Sequence, residues 1–267
     1  MSRPRALVLR AAGTNCDVEL CRAFQLAGAQ PELMHLDRVI ERPGHLDAAD
    51  LIAFAGGFSF GDDVASGRIF AVKTRERLYS RLRDAADRGV PMIGVCNGFQ
   101  ILVQTGMLPG PAAGEPWPAT PPEQTVSLTE NESVRYIDHW VPVSVEPNTC
   151  CVWTEGLDNA MGPDVLRLPI AHAEGRFVTD DATLAALEAH GQIALRYSDN
   201  PNGSMGAVAG VCDPTGRIFG LMPHPERYLD WTTHPFWTRL DDETKSGQTP
   251  GLTIFKSAVA AAAKLPA

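Results

Sequence analysis

One cysteine in this sequence has neighbours that suit a nucleophile. The segment Gly94-Val95-Cys96-Asn97-Gly98 follows the apolar run Met92 to Val95 and has the spacing of a strand-to-helix elbow, which carries its reactive residue on a tight turn. The flanking glycines permit a strained turn and close packing. A helix N-terminus behind the sulfur favours thiolate and offers a backbone N–H, that of Asn97, to a developing oxyanion. A second element is the diglycine Gly56-Gly57 after the apolar run Leu51 to Ala55, where the Gly57 amide can supply the other oxyanion hydrogen bond. The third is Pro223-His224-Pro225-Glu226, again just beyond an apolar run. His224 can take the proton of a thiol. Glu226, two residues on in a segment expected to be extended by its prolines, projects to the same side and can orient and stabilise the imidazolium. A thiol, a base with its orienting acid, and two backbone donors describe acyl transfer through a covalent thioester. They do not name the acyl group.

The other five cysteines, Cys16, Cys21, Cys150, Cys151 and Cys212, form no CxxC pair and have no partner base in the local sequence. They read as reduced, small apolar residues, with no disulfide framework and no metal site expected.

The elements that must carry these groups alternate strand and helix. Strands are expected at Ala6 to Leu9, Glu32 to Leu36, Leu51 to Ala55 and Met92 to Val95, and helices at Asp17 to Ala27, Arg68 to Arg88 and from near Phe99. This pattern predicts an α/β fold, three-layered, with a mostly parallel, doubly wound, flavodoxin-like sheet. From Thr125 to Val152, β-branched and aromatic residues in partial alternation, with Val141, Val143 and Val145 on one face, predict an antiparallel extension. Further strands are expected at Val165 to Ile170, Ile193 to Tyr197, Ala207 to Cys212 and Ile218 to Met222, with a closing helix at Gly251 to Lys264. A single domain over residues 1–267 is expected. The prolines of Leu108 to Glu123 mark a loop-like insertion, and residues 228–267 an extended C-terminal segment.

Composition sets outer limits. The chain has 267 residues, 44% hydrophobic and 21% charged, with net charge −9, which argues against a general electrostatic grip on nucleic acid or on an anionic membrane. No apolar run approaches a membrane span, and Ala6 to Leu9 is cut short by Arg10 before it can act as a signal core, so a cytoplasmic location is expected.

At these motifs the chain resembles the class I (triad) glutamine amidotransferases. Within them it is similar to the glutaminase subunits of phosphoribosylformylglycinamidine synthases. The likeness runs from Gly13-Thr14-Asn15-Cys16-Asp17 to Pro223-His224-Pro225-Glu226-Arg227. Three narrower stretches also carry it: Leu128 to Asn131 with Ser133 and Arg135, Pro169 to Phe177, and Tyr197 to Ser204. The resemblance implies that Cys96 attacks the side-chain amide of L-glutamine, with His224 and Glu226 managing the proton. Gly57 and Asn97 would form the oxyanion hole, and Gln100 and His172 would contact substrate. It implies no cofactor in this chain. ATP and magnesium are expected on a synthetase partner of the PurL type, joined by a small PurS-type subunit, and the sequence lacks the phosphate-loop pattern GxxxxGK[ST]. The residues alone leave open a glutaminase for another synthetase, a catalytically silent binding module on the same fold, and a thiol peptidase or stress protein with a related cysteine elbow.

Overall fold

The computed structural model describes residues 3–265. Its strands are β1 (Arg5–Arg10), β2 (Gln30–His35), β3 (Leu51–Phe54), β4 (Met92–Val95), β5 (Ser127–Thr129), β6 (Ile137–Val145), β7 (Arg167–His172), β8 (Arg176–Val178), β9 (Ile193–Tyr197), β10 (Val208–Cys212) and β11 (Ile218–Leu221). The helices are α1 (Asp17–Leu26), α2 (Leu36–Glu41), α3 (Gly44–Asp47), α4 (Arg68–Arg77), α5 (Tyr79–Asp87), α6 (Asn97–Thr105), α7 (Asp181–Ala189), α8 (Asp242–Ser246) and α9 (Pro250–Ala262).

Among the described residues, nine strands form one sheet in the order β2-β1-β3-β4-β11-β10-β9-β6-β7. Pairings from β2 through β11 are parallel, and those from β11 to β7 are antiparallel. The antiparallel part is therefore as large as the parallel one. All four residues of β3, β4 and β11 are buried, as strands covered by helices on both faces require.

Parallel pairing puts the carboxyl ends of β1, β3, β4 and β11 on one edge, and the sequence then turns into the loops carrying Cys16, Gly57, Cys96 and His224. Successive antiparallel steps give β7 the same direction as β11, so its end, His172, lies on that edge too. The sheet curls enough for the His224 amide to donate to Pro169 O at 2.8 Å. Helix α9 packs against the turn that follows His224. Thr249 caps it, accepting from Leu252 N at 3.3 Å and donating to Tyr228 O at 2.6 Å. A Cβ on Gly251 would lie 2.3 Å from Pro225 O, so only glycine lets this helix start press against the His224 turn.

Three expectations need correction. The helix expected over Arg68 to Arg88 is two helices that break at Leu78, whose φ of −126° departs from helical geometry, although no glycine or proline stands there. Helix α6 begins at Asn97, immediately after the thiol, rather than near Phe99. The segment after Pro223 is not extended: Pro225–Arg227 forms a single 3₁₀ turn. The proline-rich insertion is pinned to the body of the fold: Arg75 donates to Pro121 O and Pro122 O, and the Tyr79 hydroxyl to Pro118 O. In the C-terminal segment Tyr228 is fully buried, and Trp231 packs against it and donates to Gly247 O at 2.9 Å. Phe236 and Trp237 remain exposed.

Candidate active site

Cys96 stands between β4 and α6 with φ +52° and ψ −108°, backbone that an L-residue adopts only under strain. Close packing holds it there. A Cβ on Gly94 would fall 2.4 Å from Gly98 O, and the Cys96 amide donates to Leu221 O at 2.8 Å. The amide of Asn97, first residue of α6, has no acceptor within its helix. Gly57 has φ +133°, and its turn is fastened by Asn15 N to Gly56 O and by Phe58 N to Gly13 O, bonds that leave the Gly57 amide outside the pairing. Two adjoining hollows, of about 30 and 100 Å³, share Gly57, Phe58, Cys96 and Ala171 as lining. A larger hollow against the proline-rich insertion holds neither thiol nor imidazole.

His224 and Glu226 line up behind the smaller hollow. The 3₁₀ turn brings Glu226 Oε1 to 2.6 Å from His224 Nδ1, with both side chains buried. Burial opposes charge on this imidazole, but the Glu226 carboxylate and the sulfurs of Cys96 and Cys16 outweigh it and hold His224 well above the ordinary histidine range. Nε2 has no protein hydrogen-bond partner and is left for a proton in transit. The Cys96 sulfur is 3.7 Å from Ala171 O and lines the same hollow as His224.

Of the other expected residues, His172 and Gln100 both line the larger hollow beside Cys96. The Gln100 amide is committed to the protein: Nε2 donates to Glu174 O, and Oε1 accepts from Asn97 Nδ2 at 2.9 Å. Gln100 thus braces the Glu174 loop. His172 is buried, and its pKa is pushed down to about 4 by that burial and by the charge of His224.

Several residues at the site were given no role by sequence reasoning. Cys16 is not an isolated apolar thiol. Arg227 Nη2 donates to its sulfur at 3.1 Å, and that sulfur, a His224 ring nitrogen and a Glu226 oxygen lie within 4.8 Å of one another. Such a set could hold a soft cation, but two of its members already satisfy each other as a hydrogen-bonded pair. Asp62, Ser66 and Glu174 line the larger hollow. Phe58 and Tyr136, both substantially exposed, stack at the mouth of the smaller one with ring centroids 6.3 Å apart.

The three narrower stretches form the scaffold behind His172. Asn131 Nδ2 donates to Arg135 O and His172 O, while its Oδ1 faces the Gly175 amide and His172 Nδ1. Asn202 donates to Gly175 O, and its Oδ1 accepts from Ser204, whose hydroxyl in turn accepts from Phe177 N. The Asn200–Gly203 stretch therefore does more than turn the chain.

A family model described as the CobB/CobQ-like glutamine amidotransferase domain matches residues 3–260. The chain belongs to this glutamine amidotransferase family. The amidotransferase is 38% identical over 266 residues to the phosphoribosylformylglycinamidine synthase subunit PurQ of Dehalococcoides mccartyi, covering 97% of this chain and 98% of that one. It is 36% identical to the PurQ subunit of Methanococcus maripaludis, with 96% of each chain covered. Among solved structures, a chain of PurLQS from Thermotoga maritima aligns with TM-score 0.71 and 32% identity over 97% of this chain and 99% of that one. The glutaminase domain of Trypanosoma brucei CTPS with bound acivicin, at 16% identity and TM-score 0.54, shares the amidotransferase's fold. No helix among the described residues is long and apolar enough to cross a membrane.

Proposed function

We propose that this chain is the glutaminase subunit of phosphoribosylformylglycinamidine synthase, in which Cys96, His224 and Glu226 are the catalytic triad. The observation that carries the reading is a strained nucleophile elbow and a carboxylate-bound histidine lining one hollow, in a chain whose relatives bear the PurQ name along nearly their whole length.

The Cys96 sulfur gives its proton to His224 Nε2, where the raised basicity of the imidazole holds it, and attacks the carboxamide carbon of glutamine. The amide oxygen becomes an oxyanion between the amides of Gly57 and Asn97, donors fixed in place before the reaction. Collapse of this tetrahedral species breaks the C–N bond, while His224 delivers its proton to the leaving nitrogen and releases ammonia. Water, deprotonated by His224, then attacks the thioester, and glutamate leaves as the thiol is restored. Glu226 keeps Nδ1 protonated throughout, so that Nε2 handles every proton.

The ammonia goes to a PurL-type synthetase that carries ATP and magnesium and converts formylglycinamide ribonucleotide to its amidine, with a small PurS-type subunit in the assembly, in the cytoplasm. Chain, synthetase, the small PurS-type subunit, glutamine, ATP with magnesium, and formylglycinamide ribonucleotide together should yield amidine. Cys96→Ala should abolish the product made from glutamine and keep that made from added ammonium. Loss of neither product would remove Cys96 from the mechanism, and absence of amidine from the wild-type mixture would refute the assignment.

A further inference from the structure

Cysteines also meet at the edge of the sheet opposite the triad. Cys212 ends β10 and pairs with Phe219 near the start of β11, the strand whose other end leads to His224. Cys150 and Cys151 lie in the loop that follows β6. The sulfurs of Cys150 and Cys212 are 3.6 Å apart, with Cys150 exposed and Cys212 buried. A disulfide bond is about 2.05 Å long, so about 1.5 Å remains to be closed. Backbone bonds hold the two thiols in register: the Cys150 amide donates to Gly191 O at 2.9 Å, the Val152 amide to Gly216 O at 3.0 Å, and the Cys212 amide to Gln192 O at 2.8 Å. Gly216 lies against the Cys150 carbonyl too closely for any β-carbon to fit.

The two thiols are unequal in a way that suits stepwise exchange. A hydrogen bond from Cys212 holds the Cys150 thiol below the ordinary cysteine value, against burial and the Asp213 charge, whereas Cys212 is pushed up by its bonds to the Cys150 and Cys151 thiols and by burial. An accessible thiol that ionises first, backed by a buried one in reach, is the arrangement of an attacking and a resolving cysteine. Access is through a surface hollow of about 510 Å³ that Cys150 lines together with Glu146, Glu155 and Asp158. Glu146 is paired with Arg196, but Glu155 and Asp158 make no ion pair among the described residues, so the hollow favours a cationic visitor.

We infer that Cys150 and Cys212 form a reversible thiol–disulfide exchange site, remote from the triad, which a small cationic disulfide converts into a staple between the loop after β6 and the end of β10. The Cys150 thiolate attacks one sulfur of the small disulfide, forming a mixed disulfide and releasing one small thiolate, which takes up the Cys150 proton. Cys212 then gives up its proton and attacks the Cys150 sulfur, and the second small thiolate leaves and is protonated. Two protein thiols are oxidised and one disulfide is reduced to two thiols. The Cys21 thiol, pushed up to about 11 by burial and the Asp17 charge, is a poor competitor.

The test treats the full-length reduced chain with cystamine, a dication, or with oxidised glutathione, an anion, then alkylates the remaining thiols and maps the joined peptides by mass. A link between residues 150 and 212 should form, at least about threefold faster with cystamine, and the ratio should fall as salt is added. Cys151→Ala should still form the link and Cys150→Ser should not. Because the bond spans 62 positions of the chain, the linked protein should melt about 5 °C or more above the reduced one, and dithiothreitol should reverse the shift. In the assembly with the synthetase, wild type and Cys150→Ser treated alike should keep the same share of glutamine turnover, since both retain Cys96. Absence of the link, or a link that needs Cys151 and not Cys150, would overturn the pairing. An unshifted melting temperature would overturn the staple, and equal rates for the two disulfides would remove the acidic hollow as its entrance. Turnover several-fold lower in treated wild type than in the treated variant would overturn the separation from the triad.

Discussion

The carbonyl oxygen of Phe54 and the α-carbon of Gly98 are packed so closely that a β-carbon at residue 98 would lie 2.0 Å from that oxygen. One strand end and the first turn of α6 are thereby locked together with the thiol between them. The contact is backbone against backbone, so no side-chain rotation can relieve an added methyl.

Gly98→Ala should therefore force β3 and α6 apart. We expect a loss of about 1–3 kcal/mol or more in urea unfolding, with glutamine hydrolysis lost as the elbow shifts. Gly44→Ala, with no atom within 4 Å of its new methyl, should change stability by less than about 0.5 kcal/mol. Equal costs at the two sites would show that the close approach does not hold the turn.

Glu226→Gln should cut glutamine-dependent turnover by a factor on the order of 10³ to 10⁴ and spare ammonium-dependent synthesis. It should also change how stability follows pH. Because His224 binds its proton more tightly in the folded chain than in the unfolded one, its contribution is complete below the ordinary value of 6.5 and disappears as pH rises through the raised one. Wild type should thus lose melting temperature on the alkaline side, and the variant, lacking the carboxylate, should show a flatter profile. Parallel profiles would mean that Glu226 does not set the basicity of His224.

His172 acts in the opposite direction. Its pKa, lowered from 6.5 to about 4, makes the folded chain the poorer proton binder, so its contribution is present above 6.5 and lost as pH falls toward 4. The full effect is roughly 3 kcal/mol. Urea midpoints at pH 4.5, 5.5 and 6.5 should fall less steeply for His172→Gln than for wild type. An unchanged slope would mean that His172 is not held neutral by its surroundings.

The elbow was legible because five consecutive residues carry its turn, its packing glycines and its helix start. The pairing of His224 with Glu226 was legible in outcome but not in route. The reading relied on extended backbone, whereas a 3₁₀ turn, seated against Gly251 of α9, brings the carboxylate back to the ring. Cys16 and Glu174 lie in stretches that carry the family likeness, yet nothing local to them or to Asp62 assigns a role. Each is ordinary in its own segment, and they meet the nucleophile only because parallel strands deliver their loops to one edge and the sheet curls until β7 reaches β11. The break at Leu78 was invisible for a related reason. Its helix-compatible sequence yields to packing, α4 lying on α6 and α5 on α3, so local propensity loses to tertiary contact.

The loop of residues 13–16 fastens the Gly57 turn through the Gly13 carbonyl and the Asn15 amide, and at its far end holds Arg227, one residue past Glu226, through the Cys16 sulfur. The oxyanion donor and the proton relay therefore hang from a common bracket. Any displacement of those four residues is transmitted to both, so the two halves of the chemistry fall into or out of alignment in concert.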